Sequence, residues 1–188
     1  MSDPAFDQRR GKILLDIARG SIAEALGAPH LAVPQEDWLQ QPGATFVTLT
    51  QHGELRGCIG TLEAHRPLAE DVYHNARAAA FEDPRFMPLK REELGYTRVE
   101  VSLLSPPQPM TVQDEADALA QLRPGVDGLV FEYGRYRSTF LPQVWEQLPL
   151  PRQFMAHLKR KAGLPEDFWS DDVRLSRYTV TKWSEPRA

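Results

Sequence analysis

The chain has 188 residues, of which 41% are hydrophobic and 26% are charged, a composition typical of a folded protein rather than a disordered one. Its formal net charge of −4 disfavours non-specific binding to nucleic acid, which requires a basic surface. A single cysteine excludes an intrachain disulfide, and no apolar stretch reaches membrane-spanning length. With no signal-peptide pattern at the N-terminus, a cytoplasmic protein without nucleic-acid or membrane partners is expected.

The first half of the sequence predicts helices and strands separated by proline and glycine. Apolar residues recur at helical spacing in the helices, whereas β-branched and alternating residues mark the strands. The second helix begins at Pro67, which suits a first helical position, and it ends before Pro84. The predicted elements are a helix at 7–26, a loop at 28–43, a hairpin of strands at 44–50 and 55–60, a helix at 67–82 and a strand at 97–105.

The second half repeats this order loosely. Its predicted elements are a helix at 114–122, a hairpin of strands at 129–133 and 137–141, helices at 142–148 and 151–162, and one strand at 173–183. Hairpins separated by helices predict an α+β fold with mostly antiparallel sheets flanked by helices. The repeated order indicates two lobes of a single domain that meet near the proline-rich residues 106–109.

The segment Leu55-Arg56-Gly57-Cys58-Ile59-Gly60 is the most informative one for function. Glycine in a strand allows a second backbone or a ligand to approach closely, so Gly57 and Gly60 suit a site. Alternate side chains of a strand share a face. The predicted core side therefore holds Leu55, Gly57 and Ile59, and the opposite side holds Arg56, Cys58 and Gly60.

Cys58 has two interpretations. Arg56 on the same face would favour the thiolate, which is typical of a reactive cysteine. A free cysteine is also one of the residues that most often simply packs in a core. A nucleophilic cysteine needs a base, and the sequence offers His52, His65 and His74 without selecting among them.

Two further residues carry open alternatives. Asn75 borders the apolar stripe of the second helix, where it either holds a loop in place or lines a cleft. Arg85 follows two carboxylates at the helix end, where it either pairs with them or binds an anion bidentately. Metal-ligand spacings, phosphate-binding loops and cofactor motifs are not found, so neither a metal nor a cofactor is predicted.

These segments resemble the AMMECR-type domain family, whose prokaryotic members are called AmmeMemoRadiSam system protein A. Residues 55–63, Leu-Arg-Gly-Cys-Ile-Gly-Thr-Leu-Glu, are similar to the hallmark strand of that family. The resemblance covers about residues 10–183 of the chain. Further matching segments follow in the order of the family: Asn75-Ala76, Asp83-Pro84-Arg85-Phe86, residues 99–105, residues 124–129, residues 140–145 and residues 161–164.

The resemblance implies an α+β fold of two unequal lobes, with the hallmark strand facing a cleft between them. It also implies a Memo-like protein and a radical-SAM protein as partners, because prokaryotic members occur beside these proteins. It does not name a reaction. Two functions stay open: a cysteine-dependent enzyme or modifier, and a non-catalytic module that binds a partner, a peptide or a small molecule in the cleft. Oxidation of the thiol for regulation is a third possibility.

Roles follow for the enzyme hypothesis. Cys58 would be the nucleophile or thiol donor, Arg56 would stabilise the thiolate or an anion, and Glu63 or a histidine would be the acid or base. The residues expected to bind substrate are Gly57, Gly60, Asn75, Arg85, Glu100 and Ser102.

Overall fold

The computed structural model describes residues 3–187, which fall into two compact units. The first unit runs to Leu104 and takes the C-terminal residues from Thr181, and the second is Ser105–Val180. Each unit holds helices and one four-stranded sheet, and the paired strands run antiparallel. The predicted α+β class with antiparallel sheets is confirmed, while the cleft expected between lobes stays a prediction.

In the first unit, two long helices pack on one face of the sheet. The buried core holds Leu14 and Ile17 from the first helix, Val47 and Leu49 from the first strand, and Val72 from the third helix. The elements are α1 (Pro4–Ala25), α2 (Asp37–Gln40), β1 (Ala44–Gln51), β2 (Glu54–Gly60), α3 (Leu68–Phe81), a 3-10 helix (Arg91–Tyr96), β3 (Thr97–Leu104) and β8 (Val180–Ser184). The strand order in the sheet is β2-β1-β3-β8, so that β2 and β8 are its edges.

Most helices and strands of this unit begin and end within three residues of the predicted positions. Helix α1 begins earlier than expected because the Asp3 side chain accepts a hydrogen bond from the N–H of Ala5, which caps the helix with Pro4 in its first turn. Helix α3 begins at Leu68, so Pro67 is the residue before the helix rather than its first residue. The predicted loop at 28–43 contains the single-turn helix α2.

The second unit packs its helices on a sheet of order β4-β7-β5-β6. The rings of Trp145 and Phe154 stack in its core with centroids 3.8 Å apart. The expected helix at 142–148 is a shorter 3-10 helix. Helix α5 (Pro151–Ala162) is followed by Gly163 in the left-handed conformation that glycine favours. The elements are β4 (Gln108–Pro109), α4 (Glu115–Gln121), β5 (Gly128–Tyr133), β6 (Tyr136–Phe140), a 3-10 helix (Pro142–Glu146), α5 (Pro151–Ala162) and β7 (Arg174–Tyr178).

The prediction of one continuous strand at 173–183 is wrong, because the structure has two strands there, β7 and β8. Strand β7 belongs to the sheet of the second unit and β8 to that of the first. The interruption lies at Thr179, whose N–H donates to the Ser105 hydroxyl while its carbonyl accepts from the Ser105 N–H, both at 2.8 Å. The residue pattern continues through Thr179, so local alternation does not reveal the change of sheet.

Candidate functional site

The hallmark strand β2 contains a β-bulge at Arg56. Leu49 pairs with Gly57 and Thr50 pairs with Leu55, so Arg56 is an extra residue in the register. A bulge reverses the side-chain alternation beyond it. Leu55 consequently leaves the core face and is 42% exposed, and the prediction that it anchors the core is wrong. Ile59, on the other side of the bulge, packs against the core as predicted.

Arg56 is held by a carboxylate that the sequence pattern did not indicate. Its Nε and Nη2 atoms each lie 3.2 Å from a carboxylate oxygen of Glu93, and its guanidinium lies 5.9 Å from the centre of the Phe86 ring. Burial raises the pKa of Glu93, but the hydrogen bonds from Arg56, the Lys90 N–H and Gln51 outweigh it, so the pKa is lowered overall. The guanidinium is thus directed to the segment that precedes β3.

Cys58 is half-buried and fixed at three atoms. Its sulfur lies 3.3 Å from the Thr48 hydroxyl on the neighbouring strand β1. Since β2 is an edge strand, the N–H of Cys58 has no strand partner, and it donates instead to Asp83 Oδ2 at 3.0 Å. Nη2 of Arg85 lies 3.5 Å from the Cys58 carbonyl oxygen. The backbone on both sides of the thiol is therefore anchored.

Asp83 is the central residue of this anchor, and it was not among the predicted site residues. It is buried, and it accepts from Arg85 Nε at 3.0 Å and from Arg85 Nη2 at 2.7 Å. These bonds hold the pKa of Asp83 well below its usual range against the opposing effect of burial, and the Cys58 N–H adds to the lowering. A carboxylate just beyond a helix C-terminus needs a positive partner, which was the available sequence signal. The ion-pair alternative for Arg85 is observed, and anion binding by it stays a prediction.

Four of the predicted residues lie on one face of the first sheet, opposite the helices. Thr48 pairs with Cys58 on one side and with Glu100 on the other, while Phe46 pairs with Gly60 and Ser102. We call this surface the Cys58 face and define it by Phe46, Thr48, Cys58, Gly60, Glu100 and Ser102.

The Cys58 face has a polar end and an aromatic end. Glu100 accepts a hydrogen bond from the Ser184 hydroxyl at 2.7 Å, and its other oxygen lies 3.4 Å from Lys182 Nζ. The ring of Phe46 covers Gly60 so closely that a Cβ at Gly60 would lie 2.2 Å from a ring carbon. Gly60 therefore provides the space that the aromatic ring fills.

Gly57 and Asn75 lie on the helix side of the sheet. A Cβ at Gly57 would lie 2.1 Å from the carbonyl oxygen of Ala79, so it is the backbone of α3 that approaches this glycine. The Nδ2 atom of Asn75 lies 3.0 Å from the Thr45 carbonyl and 3.0 Å from the Thr61 hydroxyl. Asn75 thus connects α3 to β1 and to the loop that follows β2.

Asp71 completes the network around Asn75 and was also missed. Its carboxylate is fully buried and accepts from the N–H and hydroxyl of Thr45, the Thr61 hydroxyl and Arg66 Nε, at 2.7–2.8 Å. Buried carboxylates are tolerated when such donors surround them. Glu63 lies in the exposed loop that this network holds.

The three histidines have other neighbours in the structure. His52 stacks on Tyr96, with centroids 5.5 Å apart, His65 Nδ1 lies 3.1 Å from the Glu63 carbonyl oxygen, and the ring of His74 meets Tyr73 edge-on. Within residues 3–187, no group of three or more His, Cys, Asp or Glu side chains is arranged to hold a metal ion. Over the same residues, no helix has both the length and the hydropathy required to span a membrane.

Comparisons with known proteins agree with this architecture. A protein of Methanothermobacter thermautotrophicus is 42% identical over 93% of this chain and 94% of its own length. Protein MJ0810 of Methanocaldococcus jannaschii is 41% identical over 93% of this chain and 90% of its own length. The crystal structure of the uncharacterized protein PH0010 from Pyrococcus horikoshii matches with a TM-score of 0.75 and 34% identity, covering 94% of this chain and 92% of that one. The AMMECR1 family profile matches residues 15–183, and the chain therefore belongs to the AMMECR1 family.

Proposed function

We propose that the protein is a non-catalytic binding module and that its Cys58 face is the recognition surface. The observation that carries the proposal is the set of contacts on Cys58. Asp83 and Arg85 hold its backbone, and Thr48 contacts its sulfur. All three contacts fix the position of the residue, and a threonine hydroxyl is not a base at neutral pH.

The composition of the Cys58 face suits recognition of a small molecule or a peptide. Ligand sites combine apolar and aromatic groups with a few well-placed polar ones. Phe46 supplies an aromatic ring, while Thr48, Glu100 and the Cys58 thiol supply hydrogen-bonding groups in a row across three strands. Side chains on a sheet are held more rigidly than side chains on loops, which lowers the entropic cost of binding.

The expected partners and location enter as parts of this proposal. The family resemblance supports a Memo-like protein and a radical-SAM protein as partners of the module. A cytoplasmic location accords with the single cysteine of the chain. In this scheme the chemistry belongs to the partner proteins, and this chain supplies a surface that binds one of them or their substrate.

Calorimetric titration of the full chain with the Memo-like and radical-SAM proteins of the same organism tests the proposal. Phe46→Ala removes the ring from the Cys58 face and is expected to weaken binding about tenfold or more, as loss of a central aromatic contact does. Cys58→Ser keeps a small polar side chain and is expected to change the affinity less than about threefold. Phe6→Ala, a matched control that removes a partly exposed ring from α1, is expected to leave the affinity unchanged.

Two results would contradict the binding module. If Phe46→Ala and Glu100→Gln bind both partners as the wild type does, the Cys58 face is not the recognition surface. If the three proteins together convert a substrate and Cys58→Ser abolishes the conversion while binding persists, Cys58 is catalytic. The enzyme hypothesis would then replace the module.

A further inference from the structure

A groove of about 1300 Å³ lies at one end of the sheet in the first unit. The middle of α1, from Gln8 to Arg19, forms one wall, and the other walls are the turn after β1, the start of β3 and residues 182–187. None of the nine site residues predicted from the sequence is among the described residues that line it. The groove is thus a concave surface that the proposed function does not use.

The groove is basic although the whole chain has a net charge of −4. Concentrated positive charge in a concave surface attracts anions, because the field is focused there. Five cationic and two acidic side chains line the groove: Lys12, Arg19, Arg98, Lys182 and Arg187, with Asp16 and Glu185. Lys12 pairs with Asp16, Arg19 pairs with Glu185 and Lys182 lies 3.4 Å from Glu100, so the excess positive charge rests mainly on Arg98 and Arg187.

Arg98 is the cation best placed to bind an added anion. Arg19 is committed to Glu185, with Nε 2.5 Å from Oε1 and Nη2 2.7 Å from Oε2. Arg98 instead donates from Nε to the carbonyl oxygen of Glu185 at 2.5 Å, and no carboxylate of residues 3–187 pairs with its guanidinium. This contact orients Arg98 and leaves its two Nη groups to donate, the arrangement that binds phosphate bidentately.

An aromatic pair lies beside these cations. Tyr96 is 46% exposed, and its ring stacks on that of His52 with 17° between the ring planes. His52 has a φ of +52°, and it is the one non-glycine residue with positive φ among those the structure describes. His52 and Gly53, whose φ is +84°, are the two central residues of the hairpin between β1 and β2, and a two-residue turn of this kind requires positive φ at both positions. The turn places the imidazole against Tyr96, and both residues line the groove.

We propose that this groove binds a phosphate-bearing small molecule of the nucleotide class, with its phosphates on Arg98 and Lys182 and its planar ring on the Tyr96–His52 pair. The charge explains an affinity for phosphate, and the stacked rings explain a preference for a planar group. Both features belong to side chains of one groove in one unit. The groove adjoins the Cys58 face, because Lys182 lies 3.4 Å from Glu100, but none of the residues that define that face lines it, and the proposal does not depend on the function proposed for that face.

Calorimetry on the full chain with ADP, inorganic pyrophosphate and adenosine separates the two contributions. Arg98→Gln is expected to weaken ADP and pyrophosphate about tenfold or more, because a charge-assisted bidentate contact is lost. Tyr96→Ala is expected to weaken ADP and adenosine about tenfold through lost stacking, while pyrophosphate binding is unchanged. Arg152→Gln, which neutralises an exposed arginine on α5 outside the groove, is the matched control and should bind all three as wild type does.

Three results would overturn the proposal. If ADP does not bind, or if it binds equally well to the wild type and to Arg98→Gln, the groove does not hold the proposed phosphate site. Equal weakening by Arg98→Gln and Arg152→Gln indicates general charge attraction rather than a groove. If pyrophosphate binds as tightly as ADP, and if Tyr96→Ala does not change the affinity for ADP, the ligand is not of the nucleotide class. Should Arg98→Gln fail to fold, Lys182→Gln at the exposed side of the groove takes its place with the same expected loss for ADP and pyrophosphate.

Discussion

The backbone N–H of Cys58 donates a hydrogen bond to the Asp83 carboxylate, with 3.0 Å between N and Oδ2. An edge strand leaves such N–H groups open to pairing with another chain. The segment after α3 covers this position with a carboxylate whose charge Arg85 balances. The two most distinctive segments of the sequence, around Cys58 and around Asp83-Pro84-Arg85, therefore form one structural unit.

Asp83→Asn should destabilise the protein by about 2 kcal/mol at neutral pH, since hydrogen bonds to a buried charged group are lost and an amide N–H₂ faces the remaining donors. The free energy of unfolding from urea denaturation measures the effect. Asp171→Asn, at an exposed turn, is the control and should change stability by less than about 0.5 kcal/mol. Equal values for the two variants would show that the contact between Asp83 and Cys58 contributes little.

Acid should remove the contribution of Asp83 selectively. The pKa of Asp83 is lower in the folded protein than in the unfolded chain, where it is about 3.9, so the unfolded chain takes up the proton first as pH falls. The stabilisation is fully present above about pH 5 and is lost as the solution becomes more acidic. The difference in unfolding free energy between wild type and Asp83→Asn should therefore narrow steadily below about pH 4. A difference that stays constant to about pH 2.5 would contradict this assignment of the ionised carboxylate.

Gly57→Ala should cost about 2–3 kcal/mol, because its Cβ would lie 2.1 Å from the Ala79 carbonyl oxygen and a helix backbone cannot move aside alone. Gly60→Ala should cost less, since the atoms it meets belong to the Phe46 ring, which can rotate. Gly95→Ala has open space around it and serves as the control. Thermal and urea unfolding of the three variants give the ranking, and a Gly57→Ala as stable as Gly95→Ala would refute the close approach of α3.

Asn75→Ala should destabilise the protein by about 1–3 kcal/mol, because the Thr45 carbonyl and the Asp71 carboxylate lose a buried donor. His74→Ala, on the exposed side of the same helix, should stay within about 0.5 kcal/mol of wild type. Urea denaturation of both variants is the measurement. If Asn75→Ala matches His74→Ala, the network around Asp71 does not depend on the amide.

Local sequence determined most elements of this protein. Helix α5 begins and ends at Pro151 and Ala162 as predicted, and β3 was predicted at 97–105 and runs from Thr97 to Leu104. These limits depend on periodicity and on prolines and glycines within a few residues, which sequence displays directly. The order of the motifs along the chain is likewise enough to identify the family.

Tertiary structure decided where those elements belong and which residues contact Cys58. The register of β1 against β2 introduces the bulge that exposes Leu55 and turns Arg56 toward Glu93. The last predicted strand is divided at Thr179, which bonds to Ser105. This contact and the contact between Cys58 and Asp83 each join residues far apart in the chain. Strand pairing and edge contacts depend on such distant partners, whereas periodicity within a segment reports only whether it is helical or extended and which face is apolar. The sequence alone therefore identified the strand that carries the cysteine, and the folded chain determined which side chains surround it.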